Sequence, residues 1–252
     1  MLQSLNRSLS VLSLSLMIVG LVASQSRAAM IHQSIYQSDF SGATLGSEWS
    51  NAFTSGGKGS VDIRSLPESA GVLAGSGRRG LSLQQRGGTP GWALSAVDLT
   101  VDLSQYSDVS MVFNHYVNGD VPNMASPVPV LGYGFFDGIS ISDDGLVWHA
   151  IWSPTTTSTE IGGAWTENQS LNISQAIAAN GLTHSSNFQI RFQQYSVRGT
   201  QPLASYGRGF DGINISGAAM PSAVPEPTTL GLLGIGLVCS LVSSTRRRVS
   251  RA

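Results

Sequence analysis

The chain contains 252 residues, of which 14 are Lys or Arg, 15 are Asp or Glu and one is Cys, and only 12% are charged. That is about half the charged share of an average soluble protein. A nucleic-acid binder needs a basic face, a coiled coil needs charged heptads, and a disordered tail combines high net charge with few apolar residues. The composition excludes these three classes, and we expect no nucleic-acid partner.

The N-terminus has the three parts of a secretory signal peptide. Arg7 is the only charge in the first 26 residues, and a Ser-interrupted apolar run that is short for a membrane span follows it. Small residues, Ser26 and Ala28, suit the −3 and −1 positions of a cleavage site. We therefore predict a signal peptide over 1–28, used by the Sec translocon and signal peptidase, with cleavage after Ser24 as the alternative.

The body, residues 29–220, consists mainly of short segments that alternate apolar and polar side chains between Gly, Pro, Asn, Asp and Ser clusters. These predicted strands are Ile31–Phe40, Ser60–Arg64, Leu81–Gln85, Trp92–Leu99, Val109–Tyr116, Gly138–Ser142, Leu146–Trp152, Phe188–Tyr195 and Phe210–Ser216. Only Ser174–Asn180 has a helical pattern, with Ser174 as the candidate N-cap. The pattern predicts an all-β fold, an antiparallel β-sandwich, with the polar stretches 118–131 and 155–163 as loops.

A weak internal repeat is consistent with two facing sheets, because residues 133–142 recur, with one insertion, at 206–216. Three short segments, 39–42, 45–49 and 209–213, read Asp-Phe-Ser-Gly, Leu-Gly-Ser-Glu-Trp and Gly-Phe-Asp-Gly-Ile. They resemble segments of the jelly-roll and concanavalin-like sandwiches found in exported bacterial proteins. The resemblance implies a jelly-roll-like body and, by itself, no function.

The segment 142–148 is the strongest hairpin signal in the chain, and it resembles the Asp-box hairpin of sialidases, one residue short. With a two-residue turn, Trp148 and Trp152 share a face with Ile139 and Ile141 and belong to the core, which is the favoured arrangement. With a three-residue turn, both Trp side chains move to the opposite face, about 13 Å apart, a spacing suited to stacking on sugar rings. The second register makes them candidate carbohydrate contacts.

Asp39 and Asp211 lie beside Phe40 and Phe210 in the predicted first and last strands, which can meet at one edge of the sandwich. In similar jelly rolls that edge can hold a structural calcium. The body carries a net charge of −6 and no cysteine, so a bound cation would help it fold. The favoured alternative is that both aspartates accept backbone N–H bonds at turns. No other cofactor is expected.

Catalytic patterns are weak in the body. None of its four Glu residues follows the Glu-x-Asp-x-x-Glu spacing that places the carboxylates of sandwich-fold laminarinases on one strand face. The four His residues have neither metal-ligand spacing nor a paired nucleophile. The sequence therefore predicts a non-enzymatic protein. The alternative is a polysaccharide-active hydrolase or lyase whose site is assembled from loops.

The C-terminus also has three parts. Pro225, Glu226 and Pro227 form a stiff extended stub in the linker 221–227, because proline fixes φ and blocks helix propagation. The segment 228–245 is uncharged, and at about 1.5 Å per residue it is just long enough for a transmembrane helix. The tail 246–252 begins with the basic cluster Arg246, Arg247 and Arg248 and is predicted to stay in the cytoplasm.

This stub, span and arginine cluster resemble the PEP-CTERM sorting signal of Gram-negative bacteria. The resemblance implies processing by an exosortase-type enzyme and delivery to the cell surface or the extracellular matrix, where exopolysaccharide is a candidate partner. The alternative is a permanent single-pass anchor that keeps the body outside the inner membrane. The sequence thus predicts an exported surface or matrix protein.

Overall fold

The structure is a computed structural model that describes residues 31–55, 59–66, 78–85, 91–118, 129–154, 164–198 and 206–220. The predicted signal peptide 1–28, the linker 221–227, the span 228–245 and the tail 246–252 lie outside the described residues, and so does most of both predicted loops. Within the described ranges, no helix is long and apolar enough to cross a membrane.

The described part of the chain consists of strands with one short helix. In chain order they are β1 His32–Ser38, β2 Trp49–Ser55, β3 Gly59–Leu66, β4 Arg78–Gln85, β5 Gly91–Val101, β6 Tyr106–Asn118, β7 Val130–Leu131, β8 Gly138–Ser142, β9 Val147–Trp152, β10 Ala164–Asn172, α1 Ile173–Ala179, β11 Phe188–Arg198 and β12 Tyr206–Ala219. The predicted all-β class is confirmed.

Two antiparallel sheets form the sandwich. The first sheet has the order β10-β6-β12-β4-β3, and β1 pairs with the C-terminal half of β12 beyond β4. The second sheet has the order β2-β5-β11-β8-β9-β7. Apart from the consecutive pairs β3–β4 and β8–β9, most neighbours in each sheet come from distant parts of the sequence, so the pairing depends largely on long-range contacts as in other sandwiches.

The core lies between the sheets because alternate side chains of both sheets point inward. In β11, Phe188, Ile190 and Phe192 are completely buried in this core. Full burial of one such side chain stabilises the fold by about 1.5–3 kcal/mol. The intervening side chains of β11, among them Arg191 and Gln193, lie on the outer face of the second sheet, where the candidate site is found.

All nine predicted strands are present, but three strands were not predicted: β2, β7 and β10. A bulge between Ser50 and Phe53 breaks the alternation of β2, and a bulge between Thr166 and Gln169 breaks that of β10. Asn168 within the second bulge has a φ of 54°. A two-residue strand such as β7, inside a stretch predicted as loop, has no sequence pattern to detect.

The helix α1 begins one residue before the predicted segment, and its N-cap is Asn172, not Ser174. The Asn172 side chain accepts a hydrogen bond from the Gln175 backbone N–H at 2.8 Å, as N-cap residues do. The Ser174 hydroxyl instead accepts a bond from the Val109 backbone N–H at 2.7 Å. This serine ties the helix to β6 and does not cap it.

The internal repeat relates one strand of each sheet. Residues 138–142 form β8 in the second sheet, and their counterparts lie in β12 in the first sheet. The upstream halves differ, because Tyr206–Phe210 continue β12 whereas residues 132–137 form no strand. That divergent segment covers the outer face of the second sheet and supplies part of the candidate site.

Candidate functional site

Next to its turn, the β8–β9 hairpin follows the register predicted for a three-residue turn, which places Trp148 on the face opposite Ile139 and Ile141, but the register changes before Trp152. Its loop comprises residues 143–146, and Ile141 pairs with His149 while Ile139 pairs with Trp152. A bulge between those two pairs adds one residue to β9, and a one-residue slip reverses the face of every side chain beyond it. Trp152 therefore joins the core, with its ring 5.2 Å from that of Phe113, whereas Trp148 lies on the outer face.

Trp148 lies on the outer face but is covered, with only 1% of its surface exposed. The guanidinium of Arg191 lies 3.5 Å from the centre of its ring, and the ring of Tyr133 lies 4.1 Å from the same guanidinium. Arg191 is held by Asp98, whose two carboxylate oxygens accept its Nε–H and Nη2–H at 2.6 and 2.9 Å. Neither Trp148 nor Trp152 is thus an exposed stacking surface in this structure.

Residues 129–137, the covering segment, are fastened to the outer face of the second sheet by side chains of β11. Arg191 donates from Nη1 to the Gly132 carbonyl at 2.7 Å. Gln193 donates from Nε2 to the carbonyls of Gly134 and Phe136, the latter at 3.0 Å. These bonds to the carbonyls of alternate residues fix the backbone of the segment, so its side chains have defined positions.

Three aromatic rings gather where the covering segment meets β5 and β11. Trp92 of β5 is 40% exposed, Phe135 of the covering segment is 59% exposed, and Tyr195 of β11 is half-buried. Their centroids are 5.7 Å apart for Trp92 and Phe135, 5.0 Å for Phe135 and Tyr195, and 6.4 Å for Trp92 and Tyr195. We call these three residues the exposed aromatic cluster.

The outer face around this cluster carries no exposed charge among its described side chains. The described charged side chains of β2, β5, β8, β11 and the covering segment are Asp98, Arg191 and Asp137, and all three are buried. Asp98 and Arg191 neutralise each other, and Asp137 lies 3.7 Å from Arg208. The described side chains of this face therefore present aromatic rings and no exposed charge.

His115, Arg208 and Asp137 form a group of buried polar side chains next to the covering segment. The Arg208 guanidinium donates to Nε2 of His115 at 3.2 Å, and both side chains are buried. Burial, and secondly the charge of Arg208, hold the pKa of His115 well below its usual value, so the imidazole stays neutral. Asp137 accepts the Tyr195 backbone N–H at 2.6 Å, which connects this group to the exposed aromatic cluster.

The structure brings the two predicted calcium ligands, Asp39 and Asp211, within electrostatic range of each other. Burial raises the pKa of Asp211, and the charge of Asp39 contributes in the same direction. The Arg78 Nε–H, however, already lies 2.8 Å from Asp211 Oδ2, and Asp39 accepts the Ser41 backbone N–H at 3.0 Å. No group of three or more acidic, His or Cys side chains that could hold a metal occurs among the described residues.

Two surface cavities, of about 400 and 470 Å³, are both lined in part by Glu48. Asp39 lines the first and Asp102 lines the second. Hydrogen bonds from Ser41 lower the pKa of Asp39, and bonds from Ser104 lower that of Asp102. A glycosidase needs one carboxylic acid with a raised pKa, so neither aspartate is suited to be the acid.

Sequence reasoning placed Trp92 and Tyr195 in strands but did not identify the exposed aromatic cluster. Phe135 belongs to a segment without strand periodicity, and its position depends on bonds from Arg191 and Gln193, almost sixty residues later. The one available signal was the local density of aromatic residues at 133–136, which reads Tyr-Gly-Phe-Phe. The clustering itself is a product of the tertiary fold.

Comparison with protein families identifies a sorting motif at the C-terminus. Residues 223–248 match the PEP-CTERM protein-sorting motif. The match contains the Pro225-Glu226-Pro227 stub and the arginines 246–248, so the predicted sorting signal is confirmed and implies that the protein is exported. A comparison with curated proteins gave no match.

Several solved β-sandwich structures are similar to the body. A family 11 carbohydrate-binding module from Clostridium thermocellum, in complex with a β-1,3-1,4-mixed-linked tetrasaccharide, has 15% identity and a TM-score of 0.39 over 77% of this chain and 99% of the module. The CBM22-1 xylan-binding domain of Paenibacillus barcinonensis Xyn10C has 13% identity and a TM-score of 0.35 over 77% and 100%. The K2 cleaved adhesin domain of Lys-gingipain has 12% identity and a TM-score of 0.37 over 75% and 99%. These distant likenesses carry no conclusion about ligands.

Proposed function

We propose that this chain is an exported, non-enzymatic protein of the cell surface or extracellular matrix that associates with exopolysaccharide. The observation that carries the proposal is the PEP-CTERM motif at 223–248, following a sandwich on which the described side chains of one outer face include exposed aromatic rings and no exposed charge. In this proposal the motif directs the protein to the cell surface or matrix, and the aromatic surface binds exopolysaccharide there. Large exposed aromatic side chains on a soluble domain are typical of binding sites.

In this proposal each terminal segment has one task. The signal peptide 1–28 directs the chain through the Sec translocon and is removed by signal peptidase. The span 228–245 then holds the protein in the inner membrane, with Arg246, Arg247 and Arg248 on the cytoplasmic side. An exosortase-type enzyme cuts near Pro225-Glu226-Pro227, which releases the body to the cell surface or matrix.

The sorting step is tested by the mass and location of the protein. The full chain is expressed in a host with an exosortase-type enzyme, beside a variant in which residues 225–227 are all Ala. We expect the wild-type protein at the surface to lack residues 228–252, and the variant to stay in the inner membrane at full C-terminal length. Surface-recovered wild-type protein that retains 228–252 would refute processing and favour a permanent anchor.

Polysaccharide association is tested with the protein recovered from the surface of those cells. The probe is the exopolysaccharide purified from the same host, and binding is measured as retardation in a native gel that contains it. We expect retardation without release of reducing ends. Unchanged mobility would refute the association, and released reducing or unsaturated ends would favour the hydrolase or lyase alternative.

A further inference from the structure

We propose that the exposed aromatic cluster, Trp92, Phe135 and Tyr195, binds a single chain of an uncharged polysaccharide. The inference rests on the proposed function and gives it a site and a ligand class. Trp92 and Phe135 are two of the six large apolar side chains that are exposed among the described residues, and they are the two aromatic ones. They are in contact with each other, with ring centroids 5.7 Å apart, so their exposure is concentrated in one place.

The chemistry of these side chains suits a sugar. A pyranose ring presents C–H groups on its faces and hydroxyl groups at its rim, so it can pack on an aromatic ring and hydrogen-bond at its edge. Trp92 and Tyr195 each combine an apolar ring with a polar tip, the indole N–H and the phenol hydroxyl. Phe135, the most exposed of the three, adds ring surface alone.

The charges of the described side chains favour an uncharged polymer. Asp98 of β5 and Arg191 of β11 lie opposite each other in the sheet and are bonded to each other. They are buried, with 0% and 3% of their surfaces exposed. A uronic-acid or sulfated chain would need an exposed cation to compensate its charge, and the described side chains of this face provide none. A neutral polysaccharide carries no charge that has to be compensated, so it can bind without an exposed cation.

The angles between the rings favour a single chain over a flat crystalline surface. The ring planes of Trp92 and Phe135 are inclined by 76°, those of Phe135 and Tyr195 by 44°, and those of Trp92 and Tyr195 by 42°. Three rings so inclined cannot lie on one plane together. They can contact different faces of a twisted chain or of one chain end.

The cluster is also held in place before any ligand binds. Phe135 lies between Gly134 and Phe136, whose carbonyls both accept bonds from Gln193. The backbone of Tyr195 donates to Asp137 at 2.6 Å. Because these bonds fix the rings in advance, binding does not have to order them, which lowers its entropic cost.

The test compares Trp92→Ala and Phe135→Ala with Trp165→Ala, a matched control. Trp165 is a half-buried tryptophan of the first sheet, where it packs on Tyr116 and under Arg78. The protein is recovered from the cell surface, and melting curves verify that each variant is folded. The probes are the host exopolysaccharide, a soluble neutral β-glucan, the polyuronate alginate and microcrystalline cellulose.

We expect Trp92→Ala and Phe135→Ala each to weaken binding to the host polymer or the neutral glucan about tenfold, which corresponds to about 1.4 kcal/mol. Trp165→Ala should change it less than about twofold, and Trp92→Phe should restore part of the loss. Alginate and crystalline cellulose should bind more weakly than the neutral soluble chain.

The other outcomes separate the two proposals. If the wild-type protein binds the host polymer and Trp92→Ala binds it equally well, the site is wrong while the proposed function stands. If the wild-type protein binds none of the probes, the proposed function fails and the site with it. Tighter binding to alginate or to crystalline cellulose refutes the ligand class. Self-association that Trp92→Ala abolishes, without binding to any glycan, would show that a second copy is the occupant.

Discussion

The outer faces of the two sheets carry the same three chemical groups in opposite environments. On the second sheet, Arg191 lies 3.5 Å over Trp148 and is paired with Asp98, and all three are buried. On the first sheet, Arg78 lies 5.1 Å over Trp165 and is paired with Asp211 and Glu167, but the Arg78 side chain is 38% exposed. The two environments differ because the covering segment lies over the outer face of the second sheet. No such segment occurs on the first sheet among the described residues.

This difference predicts how much each arginine contributes. A buried ion pair costs several kcal/mol when one partner is removed, because a desolvated charge is left behind, whereas an exposed pair contributes about 0–1 kcal/mol. We infer that Arg191 organises the segment that carries Phe135, while Arg78 contributes local stability only. The following predictions test that contrast.

The largest effect is expected from Asp98→Asn. This substitution leaves the guanidinium of Arg191 buried without its carboxylate, and we expect a loss of about 3–5 kcal/mol in the free energy of unfolding, measured by urea denaturation. The double variant Asp98→Leu with Arg191→Met should lose less than Asp98→Asn alone, because no isolated charge remains. A loss below about 1 kcal/mol for Asp98→Asn would contradict the assigned role of the pair.

A smaller effect is expected from Arg78→Met, about 1–2 kcal/mol, because it removes the cation from Asp211, whose side chain is only 7% exposed. Burial raises the pKa of Asp211, so the folded state holds its proton more tightly than the unfolded state. Arg78 stabilises the ionised form, and its loss should matter most at neutral pH and least at pH 3, which lies below the raised folded pKa of Asp211. Urea denaturation at both values checks this.

The control for Arg78→Met is Glu167→Gln on the same face. Glu167 accepts from Arg78 at 2.7 Å, but its side chain is 47% exposed. We expect a change below about 0.5 kcal/mol. Equal losses for Asp98→Asn and Glu167→Gln would remove the distinction between the two faces.

The regularity of each strand decided how much of the fold could be predicted from the sequence. Strands whose inward side chains are regularly spaced, such as β11 with Phe188, Ile190 and Phe192, were predicted, because burial on one face leaves a period of two. The bulges in β2, β9 and β10 destroy that period locally. The bulges in β2 and β10 explain why these two strands were not predicted. The bulge in β9 places Trp148 and Trp152 on opposite faces of the sheet.

The candidate site could not be predicted for a different reason. The position of Phe135 is fixed by side chains of β11, and Arg191 reaches the covering segment only because Asp98 on a neighbouring strand holds it. No local spacing encodes such contacts. The sorting signal was predictable because its three parts are contiguous and act through composition and order alone.

An intermediate to small effect is expected from Asp144→Ala in the β8–β9 loop. Asp144 Oδ1 accepts the backbone N–H groups of Leu146 and Val147 at 2.8 and 3.0 Å. Its loss should lower Tm by about 2–4 °C, as for a lost capping residue worth about 1 kcal/mol in a domain of this size. Calorimetry measures the shift.

The Asp144 effect should depend on pH. Backbone bonds from Val147 and then Leu146 lower the pKa of Asp144 in the folded state. Its contribution is therefore complete above about pH 4 and is lost as the pH falls through the folded pKa. Asp144→Asn, which keeps an oxygen acceptor, should retain part of the stability and lose this dependence. A Tm difference between wild type and Asp144→Ala that persists unchanged at pH 2 would contradict the interpretation.

The smallest effect is expected from calcium at Asp39 and Asp211. A calcium ion there would have to displace the Arg78 guanidinium from Asp211 Oδ2, where it lies at 2.8 Å, and the backbone N–H of Ser41 from Asp39. We therefore expect 1 mM calcium, compared with a chelator, to raise Tm by about 1 °C or less, the shift of a site with millimolar affinity. If calcium instead raises Tm by several degrees and Asp39→Asn abolishes the increase, the first sheet holds a structural ion at its edge. Arg78 would then be a substitute cation that occupies the site only when calcium is absent, and the two faces would differ in ion binding as well as in burial.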